Sequence, residues 1–524
     1  MFRATPALSL AATQMRLARA PMRVAVVGSG PSGFYAASRL LSAFDAAHGS
    51  GPGGVEVHMY ERLPTPYGLV RYGVAPDHPE VKNVEHKFDQ VAHDPRFRFF
   101  GNVRVTTGLE SGTGPEAHIP LKQLAPYYTH ALFAYGASEA RHLGVPGSQP
   151  GELPHVYAAL DFVQWYNGHP DAHGASGTAK SLEKLRGDAV RRVAVVGAGN
   201  VALDVLRVLL CGTAQAPKEH ALGKTDIPEP VLAALRSWQV ESVDIYARRG
   251  PAQLAFTNKE LREVLGLPHV PLRPVPPALL EQASEQAASW SDAGRKRAMR
   301  RLISQLQKGS TCKWTEDPLP ALRWGLHFLR SPAAFLGDEH GVHQVRWDVT
   351  NVDPETGAAQ LSGEQETSDA DMVVSSVGYR SVSMQGSDEG PWVPFDGKRN
   401  VVPSRQGRVV GSDDQPLPGL YVSGWLATGP VGVIASTMMD AFSVADQMVE
   451  DWHERPEHTL CNTVGQSEAE AAVPAAVQRP AQPVVSYGGW LRIDAEERRR
   501  GEALGKLREK ILTVPEMLEI AQES

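Results

Sequence analysis

Two glycine-rich stretches of this 524-residue chain have the spacing of loops that bind phosphate groups. The first is Gly28-Ser-Gly-Pro-Ser-Gly33 and the second is Gly197-Ala-Gly-Asn-Val-Ala202. In such a loop one glycine permits a tight turn, the next lets the backbone approach a pyrophosphate, and a small third residue lets a helix lie against a strand. The free N–H groups and the dipole at the start of that helix favour the bound anion. The repeat predicts two dinucleotide sites; the alternative for each is a glycine turn in an ordinary α/β domain.

The residues that follow the two glycine loops differ in charge. A strand-like run, Val55–Tyr60, ends in Glu61, whose carboxylate can accept hydrogen bonds from ribose hydroxyls and would repel a 2′-phosphate. The corresponding run of the second unit, Val243–Ala247, is followed by Arg248 and Arg249, whose forked donors suit a phosphate dianion. We therefore expect FAD at the first site and NADP(H) at the second, with hydride transfer between nicotinamide and flavin. The alternative for the arginines is a solvated surface pair.

A third glycine-rich segment, Gly424–Gly432, follows a strand-like run and precedes a helical pattern. Its glycines would let backbone N–H groups approach a flavin ring or a pyrophosphate, and Trp425 could lie beside the isoalloxazine. A tryptophan that packs an ordinary loop is the alternative.

Alternating strands and helices are expected to position these loops. β-branched runs at Arg23–Val27 and Arg192–Val196 precede the two glycine loops, and amphipathic patterns follow them at Phe34–Phe44 and Val201–Leu210. The other expected elements are buried strands at Ala131–Ala137, Asp371–Tyr379 and Gly419–Gly424, a helix at 434–450, a loop at 167–189, and an insertion of loop and helix at 211–240.

The most economical arrangement is an α/β fold with two Rossmann-like dinucleotide-binding domains, the second inserted into the first. The expected domains are an FAD-binding domain at 22–151 and 375–460, an NADP-binding domain at 152–374, a linker and C-terminal appendage at 461–524, and an unstructured or dispensable extension at 1–21. A charged helical stretch, Glu496–Lys510, predicts that the appendage lies on the surface.

Composition excludes several classes of protein. The net charge of −7 argues against a nucleic-acid binder, which is usually basic. The three cysteines are far apart, which disfavours a zinc site, an internal iron–sulfur cluster and a disulfide reductase. No run of 18 apolar residues exists, so no membrane span is expected. Residues 1–21 carry three arginines and no acid, which fits a mitochondrial transit peptide or a start codon placed too early. The expected location is the bacterial cytoplasm, or the mitochondrial matrix if this segment is a transit peptide.

Several longer strings resemble the adrenodoxin-reductase family of ferredoxin–NADP⁺ reductases. They are Leu63–Pro79 (LPTPYGLVRYGVAPDHP), Asp94–Asn102 (DPRFRFFGN), Gly199–Asp204 (GNVALD), Arg248–Arg262, Ser376–Arg380 (SVGYR) and the Gly424–Gly432 loop. The resemblance covers about 22–450 and is far more specific than the glycine loops. It implies a fold related to glutathione reductase, hydride transfer from NADPH to N5 of FAD, and single-electron transfers to an iron–sulfur protein.

The resemblance also implies roles for individual residues. The implied FAD contacts are Gly28, Gly30, Pro31, Ser32, Gly33, Glu61, Leu69, Trp425, Gly432, Val433 and Ile434; the implied NADP(H) contacts are Gly197, Gly199, Asn200, Val201, Arg248, Arg249 and Glu260. His78 and Asp204 match catalytic positions near the flavin. The chain departs from the family at Leu426-Ala-Thr428, where relatives often carry Lys-Arg before Gly-Pro, so part of the basic surface near the flavin is missing.

A basic run without acids lies between Ala293 and Thr315 and includes Arg295, Arg297, Arg300 and Arg301. In an acidic protein, such a run could steer a small acidic ferredoxin or adrenodoxin-like partner; a solvated helix face is the alternative. Two other functions remain open from the residues: an NADPH-dependent flavin monooxygenase-like enzyme, and an electron-transfer flavoprotein subunit.

Overall fold

The computed structural model describes residues 21–48, 54–108, 116–175, 177–185, 187, 189–217, 222–353, 355–384, 393–432, 434–455, 458–460, 474, 477 and 482–523. Nearly all of the expected N-terminal extension, most of the linker that follows residue 460, and Val433 lie outside these residues.

Strands and helices are mixed along the chain, and a strand precedes and a helix follows each of the first two glycine loops, as the sequence predicted. The strands are β1 Met22–Val27, β2 Val55–Tyr60, β3 Phe97–Phe100, β4 Val103–Thr106, β5 Ala117–Pro120, β6 His130–Phe133, β7 Glu139–Ala140, β8 Val156–Ala158, β9 Arg192–Val196, β10 Ser242–Ala247, β11 Arg323–Phe328, β12 Arg330–Asp338, β13 Gly341–Val352, β14 Ala359–Asp369, β15 Met372–Ser375, β16 Tyr379–Arg380, β17 Ser404–Arg405, β18 Arg408–Val410 and β19 Pro416–Val422. The α-helices are α1 Pro31–His48, α2 Leu69–Tyr72, α3 Pro79–Lys82, α4 Glu85–Ala92, α5 Leu121–Leu124, α6 Ala159–Tyr166, α7 Pro170–His173, α8 Ala179–Leu182, α9 Asn200–Gly212, α10 Glu229–Ser237, α11 Asn258–Leu265, α12 Pro277–Ser289, α13 Ala293–Lys308, α14 Trp425–Thr428, α15 Ile434–Glu454, α16 Tyr487–Ala503 and α17 Val514–Gln522. Short 3₁₀ turns occur at Ala125–Tyr127, Leu222–Lys224 and Pro251–Gln253.

The first sheet has seven strands in the order β17-β18-β19-β6-β1-β2-β3. It is parallel from β19 to β3, and β17 and β18 add an antiparallel edge. Every residue of β1 is buried, because this strand lies inside the sheet and helices cover its face. The carboxyl end of β1 therefore delivers the first glycine loop to the edge of the sheet where ligands bind in such folds.

The second sheet is parallel throughout, in the order β11-β10-β9-β15-β8. All of its strands fall between β6 and β17 of the first sheet, so one Rossmann-like unit is inserted into the other, as the repeat predicted. The residue bounds proposed for the two domains stay a prediction. An antiparallel sheet of β12, β13 and β14, which the sequence did not predict, is attached by the stacking of Trp347 on Tyr246, with ring centroids 4.0 Å apart.

The expected loop at 167–189 contains two short helices, α7 and α8. Leu182 of α8 is fully buried and belongs to the core of the second domain, so this segment is more ordered than its Gly, Ser and His content indicated. Short helices of one turn leave little periodicity in a sequence, which explains why the pattern missed them.

The C-terminal segment is not a surface appendage. Helix α16 runs from Tyr487 to Ala503, and Trp490, Ile493 and Glu497 on its inner face are at most 2% exposed. The spacing of these residues places them on one face that packs into the core of the first domain. The expected helix at Glu496–Lys510 ends early, and Gly505 adopts a φ of +70° just beyond it. None of the described helices has the length and hydropathy needed to cross a membrane.

Candidate dinucleotide sites and the charged cluster between them

The first glycine loop has the geometry that a pyrophosphate site requires. Gly28 has a φ of +105° and donates its N–H to the Tyr60 carbonyl (2.8 Å). A Cβ at Gly28 would lie 2.6 Å from the Ala134 carbonyl oxygen, and one at Gly33 would lie 2.3 Å from the Gly28 carbonyl oxygen. A Cβ at Gly30 would meet no atom within 4 Å. Backbone approach is thus open at Gly30, beside the start of α1, which fits a bound phosphate group.

Glu61 lies against the same loop. Its Oε2 accepts hydrogen bonds from the N–H (3.0 Å) and the hydroxyl (2.7 Å) of Ser29, and its Oε1 accepts one from the Leu63 N–H (3.1 Å). A Cβ at Gly68, next to Leu69, would lie 3.1 Å from the Gly30 Cα. The carboxylate and the start of α2 therefore border the open side of the loop, where a ribose with a free 2′-hydroxyl fits better than one with a phosphate.

Helices α1 and α15 run parallel and bring both of their N-termini to this edge. Tyr35 packs edge-on to Phe442 (6.0 Å between ring centroids), and one turn later Arg39 pairs with Asp446 (2.6 Å). Pro31 at the start of α1 and Ile434 at the start of α15 are both partly buried, whereas Gly432 before α15 is exposed. Two helix N-termini at one place strengthen the preference for an anion.

The tryptophan loop is held to α1 by a chain of hydrogen bonds. The hydroxyls of Ser32 and Ser423 hydrogen-bond to each other (2.7 Å), and the Ser423 hydroxyl and the Gly424 N–H both donate to Asp440 Oδ2 (2.8 and 2.7 Å). Trp425 is partly buried and follows directly. The loop is thereby fixed beside the first glycine loop, although the two are far apart in sequence.

The second glycine loop repeats the geometry of the first. Gly197 has a φ of +110°, and a Cβ there would lie 2.2 Å from the Ser376 carbonyl oxygen. A Cβ at Gly199 would meet nothing within 4 Å, and Ala202 is fully buried where the first loop has its third glycine. Asn200 Oδ1 accepts a hydrogen bond from the Thr257 N–H (2.9 Å). The open position again faces the start of a helix, α9.

Arg248 and Arg249 lie at the end of β10, as predicted. Within the described part of the chain, neither guanidinium pairs with a carboxylate. Burial lowers the pKa of Arg249, and the nearby charges of Arg248 and Arg295 lower it further. Positive charge without a protein counterion is the arrangement expected of an anion site.

Residues predicted for the two cofactors meet in one small apolar cluster. Val201 from the second glycine loop and Trp425 both pack against the buried side chains of Ala137, Leu160 and Tyr379. The rings of Tyr379 and Trp425 have centroids 6.1 Å apart. The two dinucleotide sites therefore converge at this cluster.

Arg207 of α9 is the centre of a charged cluster at the same junction. It donates to Asp204 Oδ1 (2.8 Å) and Glu260 Oε2 (3.3 Å), and it holds Asp77 through both carboxylate oxygens. Burial raises the pKa of Asp204 to about 6; Arg207 opposes this shift, and the charges of Glu260 and Asp77 add to it. Burial lowers the pKa of Arg207, but Asp77, Asp204 and Glu260 together outweigh burial and the net direction is upward.

His78 joins this cluster from the loop before α3. Its Nε2 lies 2.9 Å from Glu263 Oε2, and its Nδ1 lies 3.9 Å from Glu260 Oε2 and 3.5 Å from an Arg207 nitrogen. One ring nitrogen of His78 and one carboxylate oxygen from each of Glu260 and Glu263 lie within 4.8 Å of one another. The structure thus brings the two predicted catalytic residues, His78 and Asp204, to one cluster through Arg207.

Sequence reasoning missed Asp77, Arg207 and Glu263. Asp77 stands next to His78, Arg207 is three residues after Asp204 on α9, and Glu263 is three residues after Glu260 on α11. Side chains three residues apart share a helix face, so this spacing was the available signal.

The basic run forms one face of an amphipathic helix. Met299, Leu302, Ile303 and Leu306 of α13 are buried, whereas Arg297, Arg300 and Arg301 are exposed. Among the described residues these three arginines have no acidic partner. Arg295, on the first turn, instead lies with its guanidinium carbon 4.0 Å from the centroid of the Trp290 ring.

Comparisons with known proteins find close relatives. No protein-family model matches the chain. The chain is 38% identical over 504 residues to the mitochondrial NADPH:adrenodoxin oxidoreductase of Homo sapiens, with 95% of this chain and 91% of the relative covered. It is 36% identical over 504 residues to the NADPH-ferredoxin reductase FprA of Mycobacterium tuberculosis, with 95% and 99% covered. The solved structure of FprA in complex with NADPH matches with a TM-score of 0.79 at 36% identity and covers 96% of this chain and 100% of its own. These alignments extend past residue 450 into the C-terminal segment.

Proposed function

The chain belongs to the family of NADPH:adrenodoxin oxidoreductases and NADPH-ferredoxin reductases, and on this premise we propose that it is an FAD-dependent reductase that oxidises NADPH and reduces a small iron–sulfur protein. The observation that carries the proposal is the packing of Val201 and Trp425 against one apolar cluster. This packing holds the second glycine loop beside the tryptophan loop, and so supports an arrangement in which nicotinamide and flavin would meet for direct hydride transfer.

The protein's own residues bind and orient the cofactors. The Gly28–Gly33 loop and the α1 N-terminus receive the FAD pyrophosphate, and Glu61 accepts hydrogen bonds from its ribose. The Gly197–Ala202 loop receives the NADP(H) pyrophosphate, and Arg248 and Arg249 bind the 2′-phosphate. When bound, the flavin supplies the redox chemistry, because it accepts a hydride and releases electrons singly.

The charged cluster around Arg207 positions the two sites relative to each other. Arg207 belongs to α9 of the NADP domain, whereas Asp77 and His78 belong to the loop that follows α2 of the FAD domain. Their hydrogen bonds fix the approach of α9 to that loop, and would thereby position the residues that hold the nicotinamide relative to those that hold the flavin. We assign His78 and Asp204 to the reaction centre on this ground, and a small displacement there should reduce the rate strongly.

The exposed arginines of α13 provide a docking surface for the partner. Among the described residues Arg297, Arg300 and Arg301 have no acidic partner, and on a protein whose net charge is −7 they form a local positive patch that would steer an acidic iron–sulfur protein. The absence of Lys-Arg before Gly429 favours docking on α13 over docking on the tryptophan loop.

The relatives do not fix the cellular location of this chain, since they include mitochondrial proteins and a bacterial one. We propose the bacterial cytoplasm for this chain; cleavage within residues 1–21, detected by N-terminal sequencing of the native protein, would instead place it in the mitochondrial matrix.

Coenzyme choice tests the function directly. Replacing Arg248 and Arg249 together with alanine should raise KM for NADPH by at least about tenfold per arginine, because charge-assisted contacts contribute roughly 1.5–3 kcal/mol each. KM for NADH should stay nearly unchanged. KM for each coenzyme is measured from the steady-state reduction of cytochrome c, with purified ferredoxins as the electron carriers between this protein and cytochrome c.

Equal effects on NADPH and NADH would contradict the assignment of the second site. NADPH-driven flavin reduction without transfer to any ferredoxin, together with a C4a-hydroperoxyflavin in stopped-flow spectra, would favour a monooxygenase. Absence of flavin reduction by NADPH would favour an electron-transfer subunit.

A further inference from the structure

Arg295 differs from the other arginines of α13 because its side chain contacts a tryptophan ring. All four arginines are exposed, but the guanidinium carbon of Arg295 also lies over the Trp290 ring, 4.0 Å from the ring centroid. Its backbone N–H is held by the Asp292 carboxylate (2.9 Å), which caps α13. Arg295 is thus an exposed residue whose guanidinium is held at the corner between α12 and α13 by its contact with Trp290.

This corner packs against the turn that follows Arg249. Gln253 in the 3₁₀ turn donates to Gln286 Oε1 near the end of α12 (2.9 Å). Asn258 at the start of α11 donates to the Ala298 carbonyl of α13 (3.0 Å). The hydrogen bonds hold the beginning of α13 against the same side of the NADP domain on which β10 ends.

The positive charge of Arg295 acts on Arg249, which lies beside Arg248. The pKa of Arg249 is lowered by burial, then by Arg248 and then by Arg295. In the described part of the chain no carboxylate pairs with any of the three guanidiniums. Like charges near one another repel, and an anion bound among these three guanidiniums would relieve that repulsion.

We propose that Arg295 is a third cationic ligand of the NADP(H) 2′-phosphate and sets the preference for NADP(H) together with Arg248 and Arg249, so that the docking surface of α13 begins at Arg297. The proposal rests on the function proposed above and adds a specificity residue from a separate helix. Trp290 orients the guanidinium by stacking, which reduces the entropy lost when the phosphate binds.

The test compares Arg295→Ala with Arg297→Ala, which removes an exposed charge two residues away on the same helix. The probes are adenosine 2′,5′-bisphosphate and 5′-AMP, which differ in the 2′-phosphate, and binding to the FAD-loaded protein is followed by calorimetry. Arg295→Ala should weaken binding of the bisphosphate by about threefold to tenfold, as expected for one partly exposed charge contact, and leave 5′-AMP unchanged. Arg297→Ala should change neither.

Other outcomes overturn the proposal and are distinguishable from failure of the function itself. Unchanged bisphosphate affinity in Arg295→Ala, with a loss in Arg248→Ala, refutes the role of Arg295 and leaves the NADP site standing. Equal losses in Arg295→Ala and Arg297→Ala indicate a long-range field and not a ligand. No loss in Arg248→Ala, Arg249→Ala or Arg295→Ala means that the second site does not recognise a 2′-phosphate, and the proposed function fails with it.

Discussion

Gly30 in the first glycine loop and Gly199 in the second are the positions at which an added Cβ would meet no atom of the described residues within 4 Å. Their neighbours Gly28 and Gly197 are required by the fold, because both adopt positive φ and a Cβ would collide with backbone. The two kinds of glycine in each loop therefore separate ligand binding from folding, and the open ones are the positions at which a substitution tests the ligand alone.

Gly30→Val should give a folded protein that has lost most of its flavin, because the side chain would occupy the place of the pyrophosphate. Gly199→Val is the matched variant; it should keep its flavin and lose affinity for NADPH. Flavin content by absorbance and NADPH titration give the two readings. Normal flavin in Gly30→Val would refute the placement of FAD.

We expect the ionisation of Asp204 to set the pH dependence of hydride transfer. Its pKa is raised to about 6, so the carboxylate is ionised above that pH and takes up a proton as the pH falls through it. Protonation weakens the hydrogen bond from Arg207, and the rate of flavin reduction by NADPH should fall on the acid side of about pH 6. Asp204→Asn should remove this limb of the stopped-flow pH profile.

Asp161 supplies the control for that experiment. Burial raises its pKa as well, but among the described contacts it makes no bond to Arg207. Asp161→Asn should keep the acid limb, and a profile that is the same in Asp204→Asn and the wild type would remove Asp204 from the reaction centre.

At the scale of elements, α16 is joined to α2 by a buried ion cluster. Glu497 accepts hydrogen bonds from Arg71 (2.5 Å) and Arg508 (2.8 Å), and its Oε1 also accepts the Ile511 N–H (3.0 Å). Glu497 is 0% exposed and Arg71 is 3% exposed. Arg71 is two residues after Leu69, so the C-terminal segment supports the helix that borders the flavin site.

Glu497→Ala should lower the free energy of unfolding by roughly 3–5 kcal/mol, because it removes the carboxylate that pairs with the buried Arg71 guanidinium and leaves Arg508 with Asp494 as its remaining carboxylate partner among the described residues. Glu496→Ala is the matched control on the same helix; its pairs with Arg499 and Arg500 lie at the surface, and the change should be within about 1 kcal/mol. Urea unfolding of the flavin-loaded protein measures both. Similar values for the two variants would show that the cluster contributes little.

The pH dependence of stability follows from the same carboxylate. Burial raises the pKa of Glu497, but Arg71 and Arg508 outweigh it and the net direction is below the ordinary value of 4.5. Its stabilisation is therefore complete above about pH 4.5 and is lost as the pH falls through the lower native value. Glu497→Gln should reduce this acid-induced loss.

At the scale of the whole molecule, the C-terminal segment links the two domains. Lys510 donates to the carbonyl oxygens of Arg71 (3.2 Å) in the FAD domain and Asn167 (2.9 Å) in the NADP domain, and it pairs with Asp226 (2.9 Å). Lys82 pairs with the same carboxylate (2.6 Å). Together with the Arg207 cluster, these bonds fix the orientation of the two domains.

Docking of the partner also belongs to this scale, because it depends on the field of the whole protein. Charge reversal at Arg297 and Arg301 should slow ferredoxin-coupled turnover through the association rate, with a smaller salt dependence than in the wild type, since screening at 0.1 M salt has a length of about 10 Å. Reduction of ferricyanide should be unchanged.

The control for docking is Lys398→Glu with Arg399→Glu, an exposed pair that gives the same change in net charge. It should leave both activities nearly as they are. Loss of both activities in the α13 variant would indicate a structural effect on the NADP site, and loss of neither would make α13 a solvated face.

The sequence alone determined the α/β fold with one Rossmann-like unit inserted into another, the two glycine loops and the opposite charges at the ends of β2 and β10. These features are local: a strand, a turn and a helix start are encoded within about thirty residues and depend on backbone geometry that glycine permits. For the same reason β2 and β9 have the bounds that the pattern predicted.

Only the tertiary structure decided which distant residues meet. The ion pairs of Arg207 with Asp77 and of Glu497 with Arg71 join positions whose charges look like ordinary surface charges in the sequence. The same limit explains the error at the C-terminal segment, where a charged stretch indicated a solvated helix and the fold buries its charges in pairs. Burial and ion pairing depend on contacts between residues that are distant in sequence. The order of charges along the chain does not indicate which of these contacts form.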